Sequence, residues 1–332
     1  MSALKNLATA IVVLYTQLSL AQDHPVIWAN KFNDDYAKVQ QVGFSSDSRQ
    51  LAVGYNKGTV VIFNTDSGFV TNQYIAHEYH VFCTKFRPGT TAVASGDRKG
   101  NVLLHDYVTG KDLYRLQAHK KAVTCIYFTS DGKLMLTGSK DKTIKVWDAA
   151  TGNLLHNLPC RRAGKVQSLY VTPDGNTVIA GITELSRGLR FYDMNAGVET
   201  ENYEIGNMEH FDVAPDGVSF AIGSLNRKMY LFNLKKRAIT AELKGHKRWV
   251  TDVCYNNTGR VLFSGSNDNK VFAWLADGSK HMPIFHTRRD IDVVRCSPDG
   301  KYLVIMAQNE QLTMMNVEHI EDEIRAYKPP VK

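Results

Sequence analysis

Seven times along this chain an apolar run breaks off at a turn, and the interval between breaks hardly varies. The last apolar residue of each run is Phe44, Phe86, Phe128, Val171, Val213, Tyr255 or Cys296, giving spacings of 42, 42, 43, 42, 42 and 41 residues. A fixed period of this length means equal supersecondary units placed side by side, each unable to bury its apolar face alone. After every anchor comes a turn (SSDS, RPGT, TSDG, TPDG, APDG, NNTG, SPDG) rich in the Pro, Asp, Asn and Gly that tight bends require. A short apolar run follows, then a polar turn, then a third run such as TIKVWD or KMYLFN that often ends in an aromatic plus Asp or Asn. A fourth, weaker run closes the unit. Four short strands with period-two patterning, repeated seven times, predict an all-β chain: a propeller of seven four-stranded antiparallel blades. No segment beyond the N-terminal leader holds a 3.6-residue period for long, which argues against a helical array.

Two units carry a fuller pattern, AHKKAV…TGSKDKTIKVWD (residues 118–148) and GHKRWV…SGSNDNKVFAWL (residues 245–275). They resemble WD40 repeats, and the resemblance extends over residues 28–317 and implies a seven-bladed WD40-type propeller. It also implies a buried hydrogen-bonded chain of four side chains per blade, here His119, Thr137, Asp141 and Trp147, then His246, Ser264, Asp268 and Trp274. Such residues are structural, because a buried carboxylate needs the donors that imidazole and hydroxyl supply. The second unit keeps His77 and Ser95 but has Lys99 where Asp belongs and His105 where Trp belongs; the fourth, fifth and seventh lack the set. The expected organisation is a hydrophobic leader over residues 1–21, a propeller over residues 26–317 and a C-terminal tail over residues 318–332. For the ring to close, residues 28–33 are expected as the outer strand of the last blade, beside Gln311–Asn316, with residues 322–327 as the alternative.

Two signals point to different compartments. The five cysteines (Cys83, Cys125, Cys160, Cys254 and Cys296) are odd in number, widely spaced and without a CxxC pair, so neither a disulfide framework nor a zinc site is suggested. That fits a reducing compartment, cytoplasm or nucleus. The leader, with Lys5, the run LATAIVVLY and Ser19-Leu20-Ala21, instead fits a cleaved signal peptide and the secretory pathway. It is too short and too interrupted for a good membrane span.

Catalytic chemistry is hard to find. His77, Glu78 and His80 lie on a predicted turn, not on the helix that an HExxH metal motif needs. GxGxxG after a strand, Walker and GxSxG motifs are absent. No acid–base cluster for the central channel can be assembled from the sequence, so no catalytic, cofactor-binding or metal-binding residue is expected, and no cofactor. The clearer feature is charge. The formal net charge is +7. In the geometry that the resemblance implies, loops from each fourth strand to the next first strand share a face with the second-to-third-strand loops. Basic residues outnumber acids in both sets, while the turns of the opposite face carry Asp47, Asp66, Asp131, Asp174, Asp216, Asp277 and Asp299. A partner site is therefore expected on the basic top face, at Tyr79, Lys121, Arg162, Lys165, Arg248, Trp249 and Arg289. The reading is a non-enzymatic scaffold within a multiprotein complex that holds an acidic peptide or other anionic partner. RNA association is the alternative, as is a substrate-receptor-type adaptor, although Trp147-Asp148-Ala149-Ala150 lacks the Arg of the Trp-Asp-x-Arg signature.

Overall fold

A computed structural model describes residues 26–31, 41–160, 164–183, 188–308 and 311–328. The leader over residues 1–21 lies outside the described residues. The chain forms seven four-stranded antiparallel sheets. Taking the strands of a sheet as a to d from the inside outward, blade 1 spans residues 43–75, blade 2 81–117, blade 3 123–159, blade 4 165–204, blade 5 208–244 and blade 6 250–286. Blade 7 takes its first three strands from residues 291–316 and its outer strand from Val26–Lys31, which pairs antiparallel with Gln311–Asn316. The ring thus closes through the N-terminal strand, shifted two residues earlier than residues 28–33. The alternative segment does something else: Ile320–Ala326 is a helix, α1. Its Ile320 and Ile324 face one way, four residues apart, and both are buried. This helix lies within the C-terminal tail expected over residues 318–332.

The turn chemistry explains why each unit bends at its anchor. In the a-to-b turns, Ser45, Thr129, Thr172 and Ser297 donate to Asp47, Asp131, Asp174 and Asp299, at 2.5–2.7 Å. The same hydroxyls accept from the first backbone N–H of strand b or the residue beside it. A short polar side chain thereby replaces the backbone partner that the bend removes. The fourth turn position is left-handed in six units, as Gly in five of them and as Ser48 at φ 60° in blade 1, whereas blade 2 places its left-handed Gly89 one position earlier.

Apolar burial is distributed. Among the described residues it falls into seven clusters, one in each seam between neighbouring blades. This follows from strands whose two faces both meet another blade, so that central strands such as AVASGD and VLFSGS are buried along their whole length. The closing seam is held by Trp28. It is 4% exposed, donates from Nε1 to the Thr65 carbonyl at 2.6 Å and stacks on Phe63 of blade 1.

Candidate functional site

The antiparallel order puts the b-to-c turns and the connections from strand d to the next strand a at one end of every blade, here called the top. Six of the seven predicted binding residues are described, and all occupy those connections or their ends. Tyr79 leads into blade 2, Lys121 into blade 3, Arg248 and Trp249 into blade 6 and Arg289 into blade 7, while Lys165 is the first residue of blade 4. Arg162 lies outside the described residues. Tyr79 is 39% and Trp249 52% exposed, and Lys121, Arg248 and Arg289 are also exposed. These residues lie at the top ends of five different blades.

Two pairings on this face escaped the sequence reading. Lys99 Nζ sits 5.2 Å from the centre of the Tyr79 ring, and Lys140 Nζ sits 5.1 Å from that of Phe82. Lys99 joins the b-to-c turn of blade 2 to the connection that leads into the same blade, Lys140 joins the b-to-c turn of blade 3 to strand a of blade 2, and cation–π attraction of this kind contributes roughly 0.5–1 kcal/mol at exposed sites. The b-to-c turns also place Lys57, Lys142 and Arg227 at φ 59°, 67° and 72°. That left-handed conformation costs a side chain about 1 kcal/mol, a cost that Gly would avoid.

The side-chain chains of blades 3 and 6 hold these loops from below. His119 Nε2 lies 2.7 Å from Thr137 Oγ1, which accepts from Trp147 Nε1, and His119 Nδ1 lies 3.1 Å from Asp141. In blade 6 His246 bridges Ser264 (2.7 Å) and Asp268 (3.0 Å), and Trp274 donates to Ser264. Both carboxylates also accept a top-loop backbone N–H, from Lys120 and Lys247. The loops bearing Lys121, Arg248 and Trp249 therefore have fixed backbones and projecting side chains. Burial raises the pKa of Asp141 and Asp268, but the bonds from His119 and His246 and the loop amides outweigh it, so both stay below the usual carboxylate range.

Blade 2 solves the same problem differently. His77 bonds Ser95, but its Nδ1 faces Asp97, 3.6 Å away, two residues before the position searched in the sequence. Asp97 is fully buried and accepts from the amides of Lys99 and Asn101. His105, in the Trp position, stacks on Tyr74 and lies 2.7 Å from Asp112. His80 turns to Asn56, so the two imidazoles of the 77–80 turn serve separate partners.

The channel holds a group that the sequence reading could not assemble. Arg295 on the inner strand of blade 7 reaches Asp252 of blade 6 at 2.5 Å and His210 Nε2 of blade 5 at 3.1 Å. His210 Nδ1 sits 2.9 Å from Asp252 Oδ1, an ion-pair separation rather than an aligned hydrogen bond. Burial works against the Asp252 carboxylate, yet Arg295 and His210 together hold its pKa below the ordinary value. Nearby, burial pushes the Asp212 carboxyl up and the Lys85 ammonium down, Arg295 adding to the latter. A sequence signal existed: His210 and Asp252 occupy the repeat position that holds Cys83 and Cys125 in blades 2 and 3. A charge at an apolar repeat position marks a cross-blade contact. Because its members bond one another, the group ties three blades together.

The five thiols are unpaired, and burial pushes Cys125, Cys160 and Cys296 up to about 12 and Cys83 and Cys254 well above their usual value. They are poor nucleophiles. Among the described residues no cluster of metal-ligating side chains occurs, and no helix is long and apolar enough to cross a membrane.

Comparison with known proteins agrees with this architecture. The model of the WD domain, G-beta repeat, family matches residues 110–148 and 237–274. Each match begins at an outer strand and ends in strand c of the following blade, so sequence repeat and blade are offset by one strand. The chain is similar to the pre-rRNA-processing protein crb3/ipi3 of Schizosaccharomyces pombe, 37% identical over 62 residues, covering 19% of this chain and 14% of the relative. It is also similar to the LEC14B homolog of Prunus armeniaca, 26% identical over 97 residues, covering 29% of this chain and 19% of the relative. A 66 kDa stress protein of Physarum polycephalum is 27% identical over 125 residues, covering 36% and 20%. The matched stretches span a fifth or less of each relative's own length. The chain is thus a seven-bladed propeller, and stretches through two of its blades match the WD40 repeat's own model.

Proposed function

We propose that the chain is a non-enzymatic interaction scaffold whose top face holds an acidic peptide or another anionic protein partner, with Tyr79, Lys121, Arg162, Lys165, Arg248, Trp249 and Arg289 as the contact set. The observation that carries this is the pairing of lysines with aromatic rings on the top face, Lys99 with Tyr79 and Lys140 with Phe82, together with an exposed Trp249. Desolvated aromatics with cations beside them are the groups that dominate protein interfaces. Three basic residues kept in left-handed turns, where Gly would be less strained, support the same reading. The test compares binding of a glutamate-rich peptide to the parent, to Arg248→Glu combined with Trp249→Ala, and to Asp131→Lys combined with Asp174→Lys on the opposite face. The top-face variant is expected to lose binding; loss in the bottom-face variant alone overturns the assignment.

A second reading is an RNA-associated subunit of a larger complex. The relative named as a pre-rRNA-processing protein and the net charge of +7 favour it, and with it a nuclear location. It requires affinity for an RNA oligonucleotide that falls steeply with salt, because phosphate neutralisation releases counterions.

A further inference from the structure

The face opposite the proposed site carries a groove of about 380 Å³ between blades 5 and 6. Its floor is Leu231 and Ala241 of blade 5 and Tyr255 of blade 6; Asp216 and Asp277 stand at its edge. One blade further round, the repeat-equivalent floor is Ala273, Met282 and Cys296. Leu231 pairs with Ala241 across strands c and d as Ala273 pairs with Met282, and Tyr255 and Cys296 are successive repeat anchors. That second floor is covered. Ile320 and Ile324 of α1 pack into its cluster and are 2% and 0% exposed. Among the described residues, the same architectural position is thus filled by a helix in one seam and open in the next.

Charge narrows what fits. In the covered seam, Arg325 of α1 is close enough to Asp277 to stabilise its carboxylate. Asp277 also borders the open groove, where Asp216 joins it. Lys235 is close enough to Asp216 to add to the stabilisation of its carboxylate. The surrounding a-to-b turns add Asp131, Asp174 and Asp299 to the same face. An aliphatic pair four residues apart sits on one side of a helix, which is the spacing that α1 itself uses.

We propose that the groove between blades 5 and 6 is a docking site for a short amphipathic helix of a partner protein, one presenting two aliphatic side chains four residues apart beside Lys or Arg. This surface is separate from the top-face site and does not depend on it.

The probes are labelled synthetic helical peptides in the α1 register, with Ile at both positions and either Lys and Arg or Glu elsewhere, measured by fluorescence anisotropy against the whole chain. The basic peptide is expected to bind the parent and to bind at least about tenfold more weakly, a difference of about 1.4 kcal/mol, to Thr240→Arg and Thr258→Arg. Both positions line the groove and are exposed. Asp277→Asn, which leaves the floor intact, is expected to weaken it by a smaller factor; thermal melts show that each variant is folded. Failure of the basic peptide to bind, equal binding of the Glu peptide, or equal binding to the blocked variants overturns the proposal. So does a parent dimer in sedimentation that Thr240→Arg abolishes, since the occupant is then a second copy of the chain.

Discussion

Replacing Gly68 with Ala tests the closure of the ring at one atom pair. Gly68 lies in the c-to-d turn of blade 1 at φ 70°, and a Cβ placed there comes 2.5 Å from Trp28 Cδ2, far inside van der Waals contact. Trp28 belongs to the outer strand of blade 7, so the clash arises only if that strand closes the ring as described. The substitution therefore carries two costs. The left-handed backbone costs about 1 kcal/mol, and displacing a buried indole adds about 1–3 kcal/mol of overpacking. Trp28→Ala alone removes a nearly buried ring and its bond to the Thr65 carbonyl, which typically costs about 3–5 kcal/mol. In the double variant the clash vanishes while the backbone cost stays. The two changes should then couple by roughly 1–2 kcal/mol, with the pair less damaging than the sum. Urea unfolding followed by far-ultraviolet circular dichroism of the four chains supplies the cycle, read from midpoints at unchanged slope. Additivity within about 0.5 kcal/mol refutes the contact. An unchanged midpoint for Trp28→Ala refutes closure by the N-terminal strand.

Further expectations concern the buried polar groups. Trp147→Ala and Trp274→Ala should each cost about 3–5 kcal/mol, whereas Lys121→Ala, exposed on the top face, should shift the melting temperature little; equal melts refute the burial of the two indoles. Asp252→Asn should destabilise by about 3–5 kcal/mol, because it strands the Arg295 guanidinium without its counter-charge; a parent-like urea midpoint shows that the three-blade tie contributes nothing. Burial lowers the His77 pKa to about 4, despite the opposing pull of Asp97. The unfolded chain takes up that proton near pH 6.5 and the folded chain does not, so stability should fall as pH drops from about 6.5 to about 4, by on the order of 3 kcal/mol. Asp141 and Asp268 act with the same sign in a lower window: their folded pKa values are depressed, so their contribution is present above about pH 4 and lost below it. His77→Gln should flatten the upper window and leave the lower one, which a pH series of urea midpoints will reveal.

The blade count, the strand limits and the turn chemistry were legible because each depends on residues within about ten positions of one another. TIKVWD, SFAIGS and QLTMMN are strands over the very residues that period-two patterning marks. The hydroxyl-to-Asp bonds of the a-to-b turns span two residues, so a four-letter motif contains both partners. The two four-membered chains were legible for a related reason: in blades 3 and 6 the repeat pattern carries all four side chains at their usual offsets. Where blade 2 moves its acid from position 99 to Asp97, the offset fails although the burial demand is met. The strand pairing that closes the ring was suggested by spacing, but its register, with Val26 opposite Met315, was not.

What stayed hidden depends on which side chains the ring brings face to face. Arg295 meets Asp252 and His210 across 43 and 85 residues. Lys99 meets Tyr79 across a loop, and among the described residues α1 fills one seam while the next stays open. A repeat of 42 residues states that neighbouring blades are alike; it cannot state where they differ. Those differences carry the charge tie, the lysine–aromatic pairs and the groove. They arise because closing seven units into one ring forces residues from blades far apart in the chain into a shared low-dielectric channel, where an unpaired charge is too costly to leave.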